Sequence, residues 1–201
     1  MQNPIETFYP KNRQEWREWL QVHHNTKESI WLIYYKKISN QPTVAYTDAV
    51  DEALCFGWID SKQMPIDDEK FMQFFCKRKV KSVWSKVNKA KVARLTQEGL
   101  MTTAGLSIIE KAKENGSWTV LDEVEELIIP ADLNEAFKKQ PKGEAYFLGL
   151  SRSDKRNMLQ WLVLAKRPET RMKRITEIVD LAAQGLKPKQ FRGKSIPSDK
   201  K

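Results

Sequence analysis

The chain has 201 residues, a net charge of +9 and a pI near 9.4. Hydrophobic content of 40% and aromatic content of 10% exclude a disordered chain and leave enough apolar surface for a core. No run approaches the ~18 apolar residues of a membrane-spanning helix, and Cys55 and Cys76 lie outside any C-x-x-C pair, which excludes transmembrane, zinc-finger and thioredoxin-like classes.

In chain order, residues 1–6 carry neither a basic nor an apolar leader segment, so a cytoplasmic location is expected. Residues 12–23 form a helix with Trp16, Trp19 and Leu20 on one face. Residues 30–36 are aromatic and β-branched and make a strand. Thr47 or Asp48 caps a helix that runs to Phe56 and stops at Gly57. Residues 58–63 and 70–77 read as paired antiparallel strands. From Ser82, taken as an N-cap, the pattern turns helical: 82–99, 103–114, a helix from Pro130, and one from Ser153 interrupted by Pro168 and continued to Gly185. The expected fold is therefore α+β. A small antiparallel sheet with helices occupies 1–85, a helical unit 86–186, and a basic, disordered tail 187–201.

Two runs carry more chemistry than a core needs. The first is Ala53-Leu54-Cys55-Phe56-Gly57-Trp58-Ile59-Asp60; the second is Arg78-Lys79-Val80-Lys81-Ser82-Val83-Trp84-Ser85, continuing to Asn88. Trp58 and Asp60 differ by two and share a sheet face. Asp60 is either a general base, an acceptor for a cationic or amide ligand, or a salt-bridge partner of Arg78. The last of these is favoured. Trp84, Asn88, Lys91 and Leu95 are placed on one helical face. A helix start at Ser82 beside Arg78 would suit an anion. The candidate ligand site is thus Trp58, Asp60, Arg78, Ser82, Trp84, Ser85 and Asn88.

Basic clusters supply a second set. Residues 77–97 contain eight lysines and arginines and no acid, with Lys86, Lys89 and Arg94 as anion candidates. Lys166, Arg167, Arg171 and Arg174 bracket a second helix start, where positive charge opposes the helix dipole. A bound anion, pairing with Asp122, Glu123, Glu125 and Glu126, or plain solvation would each explain them. His23 and His24 point apart on a helix, no metal-ligand spacing occurs, and no phosphate or dinucleotide loop is present, so neither metal nor cofactor is expected.

The Glu52–Ser61 run, Arg78-Lys79, Ser82-x-Trp84-Ser85-x-x-Asn88, Gly99-x-Met101, Ala104-Gly105 and Ala165-Lys166-Arg167-x-Glu169-Thr170-Arg171 together resemble the YdeI/OmpD-associated family of bacteriocin-protection proteins. The resemblance spans roughly residues 8–186. Lys77, Lys79, Val80 and Leu100 depart from the family pattern and alter local charge and loop rigidity. The resemblance implies a bacterial role in bacteriocin resistance or envelope stress and a porin-associated label; the absent leader segment speaks against a porin partner. The leading expectation is an accessory protein acting by binding an anionic or small-molecule ligand. A nucleic-acid binder using the basic helix is the alternative, and an enzyme with Asp60 as base the third.

Overall fold

Asn12 opens the first helix. Its side chain accepts a hydrogen bond from the Glu15 amide at 3.0 Å, and α1 runs Arg13–His23 with Trp16 and Leu20 buried. The structure, a computed structural model, describes residues 5–192. The chain divides into two compact units, Met1–Thr119 and Val120–Lys201.

The first unit holds a four-stranded sheet, made of β1 (Thr7–Phe8), β2 (Ser29–Tyr35), β3 (Trp58–Pro65) and β4 (Lys70–Lys77) in the order β1-β2-β4-β3. It is antiparallel except that β1 lies parallel on β2. Side chains alternate across β2. Ile30, Leu32 and Tyr34 are buried in the core with Phe75, while Trp31 packs on Phe74 on the other face. Trp16 stacks on Trp19 at 5.2 Å and meets Phe75 edge-on at 5.5 Å.

Helix α2 (Tyr46–Cys55) is buried from Ala49 to Cys55, including two acids in succession. Glu52 accepts from Arg13 at 2.5 Å and Arg17 at 2.6 Å, both on α1. Asp51 accepts from Lys91 at 2.5 Å and from Arg94, both on α3 (Lys86–Gln97). Helix α4 (Thr103–Glu114) follows. It closes on α2 through Thr102, whose hydroxyl donates to the Cys55 carbonyl at 2.7 Å. These contacts bring α3 and α4 into the sheet-bearing unit, so the division falls after Thr119 and not at 85/86 as the sequence suggested.

The second unit is helical: α5 (Asp122–Glu125), α6 (Ala131–Lys138), α7 (Pro141–Gly149), α8 (Arg152–Val163) and α9 (Pro168–Ala183). Leu133, Phe137, Phe147, Met158, Leu162, Ile178 and Ala182 fill its core. In the span expected to be a disordered tail, Lys189–Phe191 forms a 3-10 turn; residues 193–201 lie outside the described residues.

Three helix starts differ from the sequence reading. Helix α2 begins at Tyr46, which leaves Thr47 and Asp48 inside its first turn. Ser151, not Ser153, caps α8 by accepting from the Asp154 amide at 3.1 Å. Ser85, not Ser82, caps α3 by accepting from the Asn88 amide at 3.3 Å. Trp84 therefore precedes the helix and shares no helical face with Asn88. The cause is tertiary. Arg78 takes the Val83 carbonyl at 2.5 Å and Trp84 is drawn into the core, which keeps 83–84 out of the helix.

The buried Glu52 stripped of Arg13 keeps Arg17, whereas the half-buried Arg13 and Arg17 stripped of Glu52 both lose their carboxylate, Arg17 keeping only the Leu100 carbonyl. Glu52→Ala is expected to cost about 3–5 kcal/mol in urea unfolding. Arg13→Ala, which leaves Arg17 on Glu52, is expected to cost clearly less.

Candidate functional site

Gly57 turns the chain from α2 into β3 at φ +74°, a conformation that glycine adopts without the steric strain of a Cβ. The turn drops Trp58 into the core, where its indole donates to the His24 carbonyl at 3.3 Å. The Arg78 amide donates to the Gly57 carbonyl at 2.9 Å, which fixes the end of β4 beside the end of α2. On the other side Gly105 allows α4 to approach: a Cβ there would lie 2.3 Å from the Cys55 carbonyl oxygen. Ala104, Ser107, Ile108 and Lys111 then face the α2–β3 turn across a cleft of about 220 Å³. His24, Asn25, Phe56, Trp58, Lys77 and Arg78 line the opposite side.

The cleft carries Lys77, Arg78 and Lys111 and no carboxylate among its lining residues. Lys77 is paired with Glu28 at 2.6 Å. Arg78 is treated differently. It is 6% exposed, and its guanidinium lies 3.7 Å from the centre of the Trp84 ring. One nitrogen donates to Val83; Nε and Nη1 have no partner among the described residues, and neither has the buried Trp84 Nε1. Three buried N–H donors of one small cluster thus lack an acceptor. Burial pushes the Arg78 pKa down to about 10, against the through-space pull of Asp60. The fold therefore holds this cation less well than the unfolded chain does, a cost present at neutral pH and relieved only as pH rises above about 10.

The sequence candidates scatter around this point. Trp58 and Arg78 line one cleft, and Trp84 backs the guanidinium. Ser82 sits in a turn, its amide on the Lys79 carbonyl, and Ser85 and Asn88 are engaged at the α3 cap. Asp60 lines a different cleft with Tyr46, Ser61, Gln63, Phe71 and Gln73. The expected Asp60–Arg78 salt bridge is absent among the described residues: Asp60 accepts from Tyr46 at 2.6 Å and Gln73 at 3.2 Å instead. His24 was weighed only as a metal ligand and Phe56 only as part of the Ala53–Asp60 run, and the α4 wall was not placed at a site. The 104, 108, 111 spacing is a helical stripe that would have flagged the wall, though not what it faces.

Several of the basic candidates are held internally. Arg94 is shared between Asp51 and Glu98, Arg171 grips Asp132 at 2.6 Å, and Arg174 donates to the Trp161 carbonyl. Lys89 lies over the Trp118 ring and Lys86 is also engaged. Lys166 and Arg167 are exposed at the α9 start. Glu125 pairs with Arg156 at 3.1 Å. Among the described residues no acid, histidine or cysteine cluster could hold a metal, and no helix is long and apolar enough to cross a membrane. Both cysteines are free thiols, and burial raises the pKa of each.

Residues 8–108 match the profile of a domain of unknown function, DUF8412. The chain belongs to the DUF8412 family. Residues 126–185 match the family described as bacteriocin-protection, YdeI or OmpD-associated. That second match bears out the resemblance read from the sequence and contains the Ala165–Arg171 run. The Glu52–Ser61 and Arg78–Asn88 runs fall within the DUF8412 match, which also holds the cleft residues from His24 to Ile108. Comparison with curated proteins finds no match, and comparison with solved structures finds none either.

Gly105→Ala forces α4 off the Cys55 carbonyl, because the obstructing atom is backbone and cannot rotate away. It is expected to lower stability by about 1–3 kcal/mol in chemical denaturation. Tryptophan emission should shift with it as the wall beside Trp58 moves.

Proposed function

We propose that the protein is a cytoplasmic accessory of bacteriocin protection or the related stress response, acting by binding, and that the Arg78 cleft takes a small anionic ligand. The role rests on the family match of residues 126–185. Two free thiols are in keeping with a reducing compartment. The observation that carries the site is the buried Arg78 guanidinium with two unpartnered nitrogens beside the unpartnered Trp84 indole. An unsatisfied buried donor costs about 1–3 kcal/mol, more when charged. A carboxylate or phosphate oxygen brought to these donors recovers that cost and neutralises the cation. The apolar walls from Phe56, Trp58 and Ile108 suit a ligand with a flat or aliphatic body behind its charge.

Nucleic-acid docking by α3 carries less weight, because Lys91 and Arg94 are already paired with Asp51 and Arg94 also with Glu98. It would require affinity that falls steeply with salt. An enzyme using Asp60 as base finds no metal-holding cluster beside it among the described residues.

Benzoate and inorganic phosphate, titrated separately into the protein, serve as probes, read by tryptophan emission and thermal midpoint. At about a hundredfold over Kd, a bound anion should add about 2.7 kcal/mol of stability. Arg78→Met should abolish the response while holding or raising the unliganded thermal midpoint, since an apolar replacement removes an uncompensated buried charge. A Met variant that unfolds readily, or a wild-type protein indifferent to both anions, would make Arg78 a structural residue and remove the site.

A further inference from the structure

We propose that the corner of the β3–β4 hairpin at Asp60 is a second binding site, selective for a compact organic cation such as a primary ammonium or a guanidinium. This goes beyond the anion reading and does not rest on it.

The corner is built by a bulge. Asp60 pairs with Phe75 and Gln63 with Gln73, so two residues of β3, Ser61 and Lys62, are set against one of β4, Phe74. The Ser61 carbonyl, displaced from the regular ladder, is taken by the Gln73 side-chain amide at 3.0 Å. The same Gln73 nitrogen reaches Asp60 Oδ2 at 3.2 Å, and the Tyr46 hydroxyl donates to that oxygen at 2.6 Å. Gln73 is 4% exposed, so the carboxylate is held from a fixed base. Both bonds fall on Oδ2, and Oδ1 has no partner among the described residues. The bulge opens a cleft of about 490 Å³ in front of this carboxylate.

The charge of that carboxylate is oriented but not cancelled. Its two donors are neutral, and no ion pair reaches it among the described residues. Lys62, inside the bulge, turns to the opposite face and lies over Trp31 at 5.3 Å and Phe74 at 5.8 Å. Arg78 senses Asp60 only through space. In a chain with 35 lysines and arginines against 26 acids, carboxylates are the scarce partner, yet this one has no cation in contact. The cleft walls include Tyr46 and Phe71, and Phe71 is stacked face to face on the buried Tyr34 at 5.0 Å. An acid with aromatic neighbours attracts a cation twice, by charge and by the ring quadrupoles. An anion would be repelled, and a neutral donor would leave the charge uncompensated. The Tyr46 phenol, its pKa raised to about 12 by burial and by Asp60, stays protonated and keeps donating to the carboxylate across the neutral range.

Methylguanidinium and methylammonium, titrated into the full chain by calorimetry and ligand-observed NMR at low salt, test this. Saturable binding is expected, weakened at least about tenfold by Asp60→Asn, which keeps shape and acceptor but removes charge. Gln63→Lys, which sets a competing ammonium at the exposed rim, should weaken it as well and serves if Asp60→Asn fails to fold. Arg78→Met should tighten cation binding by removing a nearby positive charge, while the same variant loses benzoate. Failure of the anion site alone would therefore leave this result standing. Absence of saturable cation binding, or equal affinity in wild type and the charge variants, overturns the proposal.

Discussion

Two consecutive carboxylates on one buried helix organise the sheet-bearing unit. Asp51 and Glu52 project from α2 in different directions, so each recruits cations from a different neighbour: α1 to Glu52, α3 to Asp51. Burying a charge costs several kcal/mol unless the partner geometry is good. Here each acid has two donors, and the Arg17 fork also satisfies the Leu100 carbonyl at 3.1 Å. The gain is angular definition as much as energy. Apolar packing around α2 would tolerate sliding, whereas two charge pairs on successive residues fix the rotation of the helix. That rotation sets where Cys55 presents its carbonyl to α4, and hence where the cleft wall stands.

Against this background Arg78 is the exception. The unit pairs each of its two buried acids with two cations, yet among the described residues leaves one buried cation without an acid in contact. Cation–π contact with Trp84 and one backbone carbonyl support the guanidinium without neutralising it. Such a group is held by packing and keeps two buried nitrogens without an acceptor among the described residues. Under the proposed anion reading its partner would arrive from solution, at a place where the protein forgoes stability for function.

Much of the fold was legible because local rules and the final structure agree. The Trp16, Trp19, Leu20 spacing, the β-branched run at 30–36 and the glycine stop at 57 all act within one element. What was not legible depended on partners distant in sequence. Strand β1 has two residues, too few for any alternation to register, and exists only because β2 offers it an edge. Helix α7 carries Gly143 and Gly149 and received no assignment from the sequence; Gly143 is there because a Cβ would sit 3.1 Å from backbone atoms of α9. Ser82 and Ser85 are equally good caps by local chemistry, and the Arg78–Val83 bond decides between them. Of the site, Trp58, Arg78 and Trp84 stood out as misplaced richness. The α4 wall did not, because nothing near residue 108 announces residue 78. The bulge leaves no compositional trace, so Asp60 was matched with Arg78 by alternation alone.

The two clefts belong to one hairpin and are coupled by charge. Asp60 raises the Arg78 pKa through space, which means that the carboxylate stabilises the guanidinium. By the same field it opposes any anion approaching Arg78. Were both proposed sites to bind, a cation seated on Asp60 would cancel that opposition and raise anion affinity at Arg78. Linkage would make the effect reciprocal, the anion strengthening the cation by the same factor. The coupling needs no conformational change, since both groups are fixed by backbone and buried side chains. It fades as salt screens the charges, least where the path between them is buried. A hairpin carrying an acid and an unpaired cation near the same end would thus favour the two proposed ligands together over either ion alone.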